Sequence, residues 1–295
     1  HHVKTMAAAG VRIIQPGIES LHDELLQLLH KGNSAIHGLA LLKYCLEQGV
    51  QVKWNLLFDI PGDEDRHYHE MAEFLPTLCH LSPPKFAHIR YDRFSVYHQH
   101  PERFDLSLVP LKCYNDVYPF DLRELKHVVS FFQKVDYDEN RQTPGVQRVA
   151  ELVKNWEDLH DRPQKARPTL TITENASESK IVDTRPYACS QQFLLTGIEH
   201  LLYQGCRAPA TQTQILQFVE TQIPGQQVDQ QRIAHSLQEL VEKRLLLHIQ
   251  DKYLALASYP PVRPMENVFT VGSKPFGKKE RKVLQTGSVF QSIKI

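Results

Sequence analysis

The sequence holds few cysteines, and none of them lie close together. Cys45, Cys79, Cys113, Cys189 and Cys206 are scattered, with no CxxC or CxxxCxxC spacing, so no cysteine-held metal site can be assembled from a local motif. An odd, dispersed set fits buried free thiols in a reducing compartment. Net charge is also missing: 34 Lys plus Arg balance 34 Asp plus Glu, so bulk charge offers nothing to nucleic acid or acidic lipid. No apolar run approaches the ~20 residues that cross a bilayer, and the first residues do not resemble a secretion signal. Phosphate-loop glycine patterns and the G-x-S-x-G nucleophile turn are absent as well. These absences predict a cytoplasmic protein with no membrane or nucleic-acid partner.

What is present is globular: 41% of the 295 residues are hydrophobic, and that length suggests two domains. The chain opens on His1-His2 and runs directly into Val3-Lys4-Thr5-Met6-Ala7-Ala8-Ala9-Gly10, which reads as a helix end closed by glycine before a strand. Starting inside such a unit predicts either a trimmed chain or a piece of a longer protein.

Strands and helices then alternate. Residues 11–15 read as a strand stopped by Pro16-Gly17, and residues 21–31 as a helix ended by Gly32. A second helix starts at Ser34, carries Ile36, Leu39, Leu42 and Leu46 on one face, and ends at Gly49. Residues 50–60 are the next strand, Pro61-Gly62-Asp63 a turn, 64–80 a helix, and 86–97 a third strand. This order predicts parallel strands joined by right-handed crossovers. Val52, Trp54, Leu56 and Phe58 alternate with Lys53, Asn55, Leu57 and Asp59, and Ala87, Ile89 and Tyr91 with His88, Arg90 and Asp92. One apolar and one polar side predicts helices outside and a hydrated, ligand-holding lumen inside; a half-exposed antiparallel sheet would show the same alternation.

Residues 98–120 are irregular, punctuated by Pro101, Pro110 and Pro119. Helices are expected over 121–135 and 144–160, and a hairpin pairs 170–173 with 180–183. Further helices over 191–204, 211–222 and 229–243 precede strands at 245–249 and 253–256, a winged-helix-like α+β pattern. Beyond Pro260 apolar periodicity stops, which predicts disorder. The expected domains are 1–161, a linker and hairpin over 162–189, a winged-helix-like domain over 190–258, and a tail over 259–295.

Three stretches carry a resemblance. They are Gln15-Pro16-Gly17-Ile18-Glu19-Ser20-Leu21 with Lys31-Gly32, then Trp54-Asn55-Leu56-Leu57-Phe58-Asp59-Ile60-Pro61-Gly62-Asp63, then His80-Leu81-Ser82-Pro83-Pro84 with Arg93-Phe94-Ser95-Val96-Tyr97, Pro101 and residues 114–119. In this order and spacing, over about residues 3–257, they resemble the radical S-adenosylmethionine (SAM) family, in its peptide-maturing branch with an N-terminal cobalamin-binding domain. The resemblance implies an α/β fold, the C-terminal half of a partial (β/α)6 barrel. It also implies SAM and a [4Fe–4S] cluster at the strand ends, 5′-deoxyadenosyl-radical chemistry with cobalamin-dependent C-methylation as one outcome, and a precursor peptide as substrate. The cluster and cobalamin would be held by an N-terminal part outside this chain, which alone would be inactive. A non-catalytic accessory or relic protein is the alternative.

By position in those motifs, Glu19 and Ser20 match the polar residues that meet SAM's ribose or methionyl end, and Asn55, Asp59, Pro61 and Gly62 line the same lumen and turn. A carboxylate suits ribose hydroxyls as an acceptor; Glu19 would equally suit the N-terminus of the following helix. The family's turn glycine is replaced here by Asp59 and its closing glutamate by Asp63. The winged-helix-like part could add a peptide strand to its wing, or serve as a cap. As a DNA reader it would present Gln230, Gln231, Arg232, His235 and Gln238, with a single firm positive charge.

Overall fold

The computed structural model describes residues 2–136, 142–225 and 229–262. Contacts divide these into two compact units, one of residues 2–89 with 142–262 and one of residues 90–136. The protein is mixed α/β; among the described residues its strands form sheets of only two or three, and none closes into a barrel.

In the first unit, α1 (His2–Ala8) leads to β1 (Ile13–Ile14), α2 (Asp23–Leu28), α3 (Ala35–Glu47), β2 (Gln51–Val52), β3 (Asn55–Phe58), α4 (Asp65–Phe74) and β4 (Lys85–His88). The first three helices end by one rule: a residue with positive φ lets its own N–H and the next one bond back to orphan carbonyls. Gly10 (φ 94°) closes α1 and Gly49 (φ 64°) closes α3, as their positions in the sequence predict. At α2 that role falls to His30 (φ 52°), with His30 N–H on Gln27 O and Lys31 N–H on Leu26 O. The expected stop at Gly32 is therefore two residues late.

All the early strand pairing is parallel. β1 lies beside β2, Glu19 bridges to Leu56, and β3 lies beside β4 with Asn55 opposite Lys85 and Phe58 opposite His88. Hydrogen bonds from Gln51 N to Arg12 O, Lys53 N to Ile14 O and Leu57 N to Glu19 O make residues 12–19 and 51–57 one parallel ladder. Lys85 N to Trp54 O and Ile89 N to Phe58 O continue it to the third segment. The helix α3 buries Ile36, Leu39 and Leu42; each such side chain contributes ~1.5–3 kcal/mol when fully removed from water. Along the middle segment Val52, Trp54 and Leu56 are buried, while Lys53 is exposed and Asn55, Leu57 and Asp59 are half-buried. The two-sided character read from the alternation is present, except that Phe58 is half-buried too.

The second unit holds β5 (Tyr91–Asp92), α5 (Val96–Gln99), β6 (Leu108–Pro110), α6 (Leu122–Val128) and β7 (Phe131–Lys134). Its sheet is antiparallel in the order β5-β7-β6. Two expectations are corrected here. The third strand does not run from 86 to 97: it stops at His88, Tyr91–Asp92 pairs in this other sheet, and the Ser95 hydroxyl caps α5 by accepting from His98 N. The helix expected over 121–135 ends at Val128, because Phe131–Lys134 lies between two strands. Asp121 does start that helix, accepting from the N–H groups of Arg123 and Glu124.

The first unit resumes with α7 (Pro144–His160), whose buried Val146, Val149, Leu152, Val153 and Trp156 form one face. Then come β8 (Leu170–Glu174), β9 (Glu178–Asp183), β10 (Gln192–Thr196), α8 (Gly197–Gly205), β11 (Ala210–Thr211), α9 (Gln212–Gln222), α10 (Gln230–Glu242), β12 (Leu246–Ile249) and β13 (Lys252–Ala255). The predicted hairpin is real but gains a third strand, β10, in the order β10-β9-β8. The helix expected from 191 therefore begins only at Gly197. The three helices α8, α9 and α10 precede β12 and β13, and β13 also pairs with β11 in an antiparallel β11-β13-β12 sheet. Of the expected disordered tail, 263–295 lies outside the described residues. No described helix is long and apolar enough to cross a membrane.

Candidate functional site

In open parallel sheets, ligands gather at the carboxyl ends of the strands. Two adjacent strand ends here share an unusual backbone state. Glu19, at the end of the first segment, has φ 60°, and Asp59, directly after β3, has φ 58°. Ser20 N–H reaches back to Ile18 O at 2.7 Å, so Glu19 sits at the centre of a three-residue turn. Positive φ in a non-glycine residue is strained by ~1–2 kcal/mol, and such strain clusters at functional sites.

Each of the two carboxylates meets a basic side chain. Lys31 Nζ lies 3.2 Å from Glu19 Oε1, and Glu19 Oε2 has no hydrogen bond among the described residues; the Glu19 side chain is 20% exposed. A Cβ at Gly17 would touch Glu19 Oε1 and Lys31 Nζ at 3.4 Å, an ordinary contact distance, so the pair packs directly beside this backbone. Asp59 Oδ2 lies 2.5 Å from His88 Nε2, and His88 Nδ1 lies 2.5 Å from Ile89 O. Both ring nitrogens thus face oxygen atoms. Phe58 stacks on Phe86 at 4.6 Å and meets the His88 ring edge-on at 5.4 Å, giving the strand ends an aromatic flank.

The turn after β3 follows from its residues. Asp63 N bonds Ile60 O, Pro61 and Gly62 occupy the corner, and Gly62 has φ 84°, the geometry of a type II turn. Asp63 Oδ2 accepts from Ile60 N at 3.0 Å and from the Tyr68 hydroxyl. Burial first, then the Asp63 carboxylate, drives the Tyr68 phenol well above its ordinary pKa, so it stays a donor. Asp59 takes the left-handed conformation that a glycine would adopt freely.

The six residues singled out from the sequence separate accordingly. Glu19 and Asp59 present carboxylates at neighbouring strand ends; Pro61 and Gly62 shape the turn beside Asp59; Asn55 is half-buried at the start of β3. Ser20 is fully buried, its hydroxyl accepting from His22 N at 3.1 Å and pointing at Met71 Sδ at 4.0 Å. His88 and Lys31 were not among the candidates. The periodicity placed His88 on the polar side of its strand, but its partner Asp59 is twenty-nine residues away.

SAM and an iron–sulfur cluster fare differently against these residues. Glu19 offers a free acceptor oxygen beside a cation, a donor set that fits ribose hydroxyls. The thiols do not fit a cluster. Cys45, Cys79 and Cys206 are buried, and burial holds them protonated, pushed up to about 12, about 11 and about 12. Cys113 and Cys189 are exposed, contrary to the reading of all five as core. No group of three metal-binding side chains occurs among the described residues.

The chain is similar to Bacteriochlorophyllide d C-8(2)-methyltransferase of Chlorobaculum tepidum, 27% identical over 116 residues, which are 38% of this chain and 26% of that protein. The chain thus spans only a quarter of the relative's length. No family model matches the chain, and no solved structure does.

Proposed function

We propose that this chain is part of a radical SAM enzyme that methylates carbon, contributing C-terminal strands of a partial (β/α)6 barrel. The observation that carries the proposal is the pair of strained carboxylates, Glu19 and Asp59, at adjacent parallel strand ends. The similarity to a methyltransferase supports the reaction class, and the ordered motifs support the radical chemistry and a ribosomally made peptide as substrate. SAM bound at this edge would supply the methyl group or the 5′-deoxyadenosyl radical. Glu19 would accept from the ribose hydroxyls while Lys31 holds its carboxylate in place. Asp59, Pro61 and Gly62 would shape the turn against the adenine side. The cluster ligands and any cobalamin site would belong to polypeptide other than these residues, whose thiols do not fit that role.

The test uses the complete reading frame that contains these residues, purified anaerobically and reconstituted with iron and sulfide. SAM cleavage to 5′-deoxyadenosine is followed in wild type and Glu19→Gln. The expected result is a KM for SAM raised ~10-fold in the variant, the loss of about one charge-assisted hydrogen bond, with iron content and visible spectrum unchanged. A protein that carries its cluster but does not cleave SAM would overturn the proposal. A reading frame without a CxxxCxxC loop would overturn it too, and leave the accessory-protein reading.

A further inference from the structure

Glu19 is held in the left-handed state, and strain of that kind persists only where the surrounding structure over-determines it. Within the turn, Ser20 N–H bonds Ile18 O, and the Ser20 hydroxyl is itself fixed by accepting from His22 N. These bonds shape the turn but do not place it against the rest of the unit. Its placement comes from α3 and the loop before it.

The loop between α2 and α3 is fastened at both ends. His30 and Lys31 N–H groups bond back onto α2, and Asp23 Oδ1 accepts from Ala35 N at 2.7 Å, tying the start of α2 to the start of α3. Between these anchors, Asn33 Nδ2 donates to Gly17 O at 3.3 Å and Lys31 Nζ lies 3.2 Å from Glu19 Oε1. One short loop therefore holds both the backbone just before Glu19 and the carboxylate itself. One turn further on, α3 adds a second contact. Gly38 is buried, and a Cβ there would lie 3.1 Å from Ile18 Cγ2, nearer than the separation at which carbon atoms pack best. Glycine inside a helix costs stability relative to alanine. At this position it lets α3 come close to Ile18, which is buried directly before the strained residue.

We infer that Asn33 and Gly38 are positioning residues for Glu19, so that the start of α3 sets the place and direction of the carboxylate. The inference rests on the reading in which Glu19 accepts from the ribose of SAM. Asn33 acts through the carbonyl of Gly17, and Gly38 through the side chain of Ile18. Loss of either support leaves the carboxylate present but misdirected, which weakens SAM binding and leaves the chemical step intact.

The test uses the complete reading frame that contains these residues, reconstituted with iron and sulfide. SAM affinity by calorimetry and KM for SAM in 5′-deoxyadenosine formation are measured for wild type, Asn33→Ala, Asn33→Gln, Gly38→Ala and Glu19→Gln. The expected result is a Kd and KM raised about 3-fold in Asn33→Ala and Gly38→Ala, the effect of about one neutral hydrogen bond. Iron content and kcat stay at the wild-type level, and Asn33→Gln, which keeps a donor, binds SAM more tightly than Asn33→Ala. A purely structural role would instead lower Tm and leave the SAM affinity of the folded protein unchanged. Asn33→Ala that binds SAM as tightly as wild type, while Glu19→Gln binds it more weakly, would overturn the inference and leave the reading of Glu19 standing. Glu19→Gln with unchanged SAM affinity would overturn that reading, and the inference with it. If Gly38→Ala does not fold, the two Asn33 variants decide, because that side chain is exposed.

Discussion

Replacing Arg185 by methionine should destabilise the first unit more than any surface change. The side chains of Arg185 and Asp183 are 2% and 0% exposed. Arg185 Nε and NH2 donate to Asp183 Oδ1 at 2.9 Å and Oδ2 at 2.7 Å, NH1 donates to Thr77 O at 2.6 Å, and NH2 donates also to Arg244 O at 2.8 Å. One guanidinium thus ties the end of β9 to the segment after α4 and to the second residue after α10. Methionine fills much of the volume but leaves the Asp183 carboxylate buried without its counter-charge, and two carbonyls without donors. Breaking such a pair from one side costs ~3–5 kcal/mol. With ~2–4 °C of Tm per kcal/mol for a chain of this size, the midpoint falls by about 6–20 °C. Urea titration by circular dichroism gives the free energy, and Asp183→Asn with Arg185→Met closes the cycle. The double variant should recover ~1–2 kcal/mol, since the uncompensated charge is then gone. A single variant within ~1 kcal/mol of wild type would refute the reasoning, as would a double variant no better than the single.

Lys43 is buried in α3 and donates to Arg207 O at 2.9 Å and Ala255 O at 2.8 Å, and burial pushes its pKa down from 10.5 to about 8. The unfolded chain then holds this proton more tightly between those values, so the wild-type free energy of unfolding should rise relative to Lys43→Met across that window, by up to ~3 kcal/mol; parallel urea titrations at pH 7.5 and 10 read the difference, and a flat difference contradicts it. His160 donates to Cys79 O, and burial lowers its pKa to about 4. Its contribution is complete above the unfolded value near 6.5 and lost as pH falls towards 4, so going from pH 7 to 5 should cost wild type ~2 kcal/mol more than His160→Gln, measured by thermal melts with His80 intact in both. Gly145→Ala should cost ~2–3 kcal/mol, because the new Cβ would lie 2.5 Å from Asp65 Oδ1 and 2.6 Å from Asp65 O. Asp65 also accepts from Gly145 N at 2.8 Å, so α4 and α7 would have to move apart, and an unchanged Tm would show that they can do so freely.

Long periodic segments were legible and short non-local pairings were not. α7 matches its expected span because Pro144 starts it and five apolar residues repeat at helical spacing. The parallel order of the first three segments followed from the intervening helices alone. The misassigned stretches share one cause. Phe131–Lys134 and Gln192–Thr196 continue an apolar pattern that a helix also satisfies, and only pairing with β5 and β6, or with β9, makes them strands. The site divides in the same way. Glu19 and Asp59, which the structure puts in the left-handed state, lie in stretches that local motifs mark, whereas the pairing of His88 with Asp59 comes from the neighbouring strand. Ser20 shows the limit of position as a guide: it sits beside Glu19, but its hydroxyl is turned into the core.

The two strained residues weigh differently as signs of a ligand edge. Asp59 has an internal account: an aspartate tolerates the left-handed state better than most residues, and its carboxylate is held by His88. A fold-stabilising turn could use such a pair without any ligand. Glu19 has no comparable account. Glutamate gains nothing locally from positive φ, and its ion pair with a half-exposed Lys31 is screened, worth ~0–1 kcal/mol against a strain of ~1–2 kcal/mol. It does not cap α2, whose flanking residue His22 has no side-chain cap while Asp23 turns its carboxylate to Ala35 N. The helix-dipole explanation open from the sequence therefore loses its geometry. What remains is a carboxylate carried to the strand end at a net local cost, with one oxygen unused among the described residues, and that is the arrangement a hydroxyl-bearing ligand would repay.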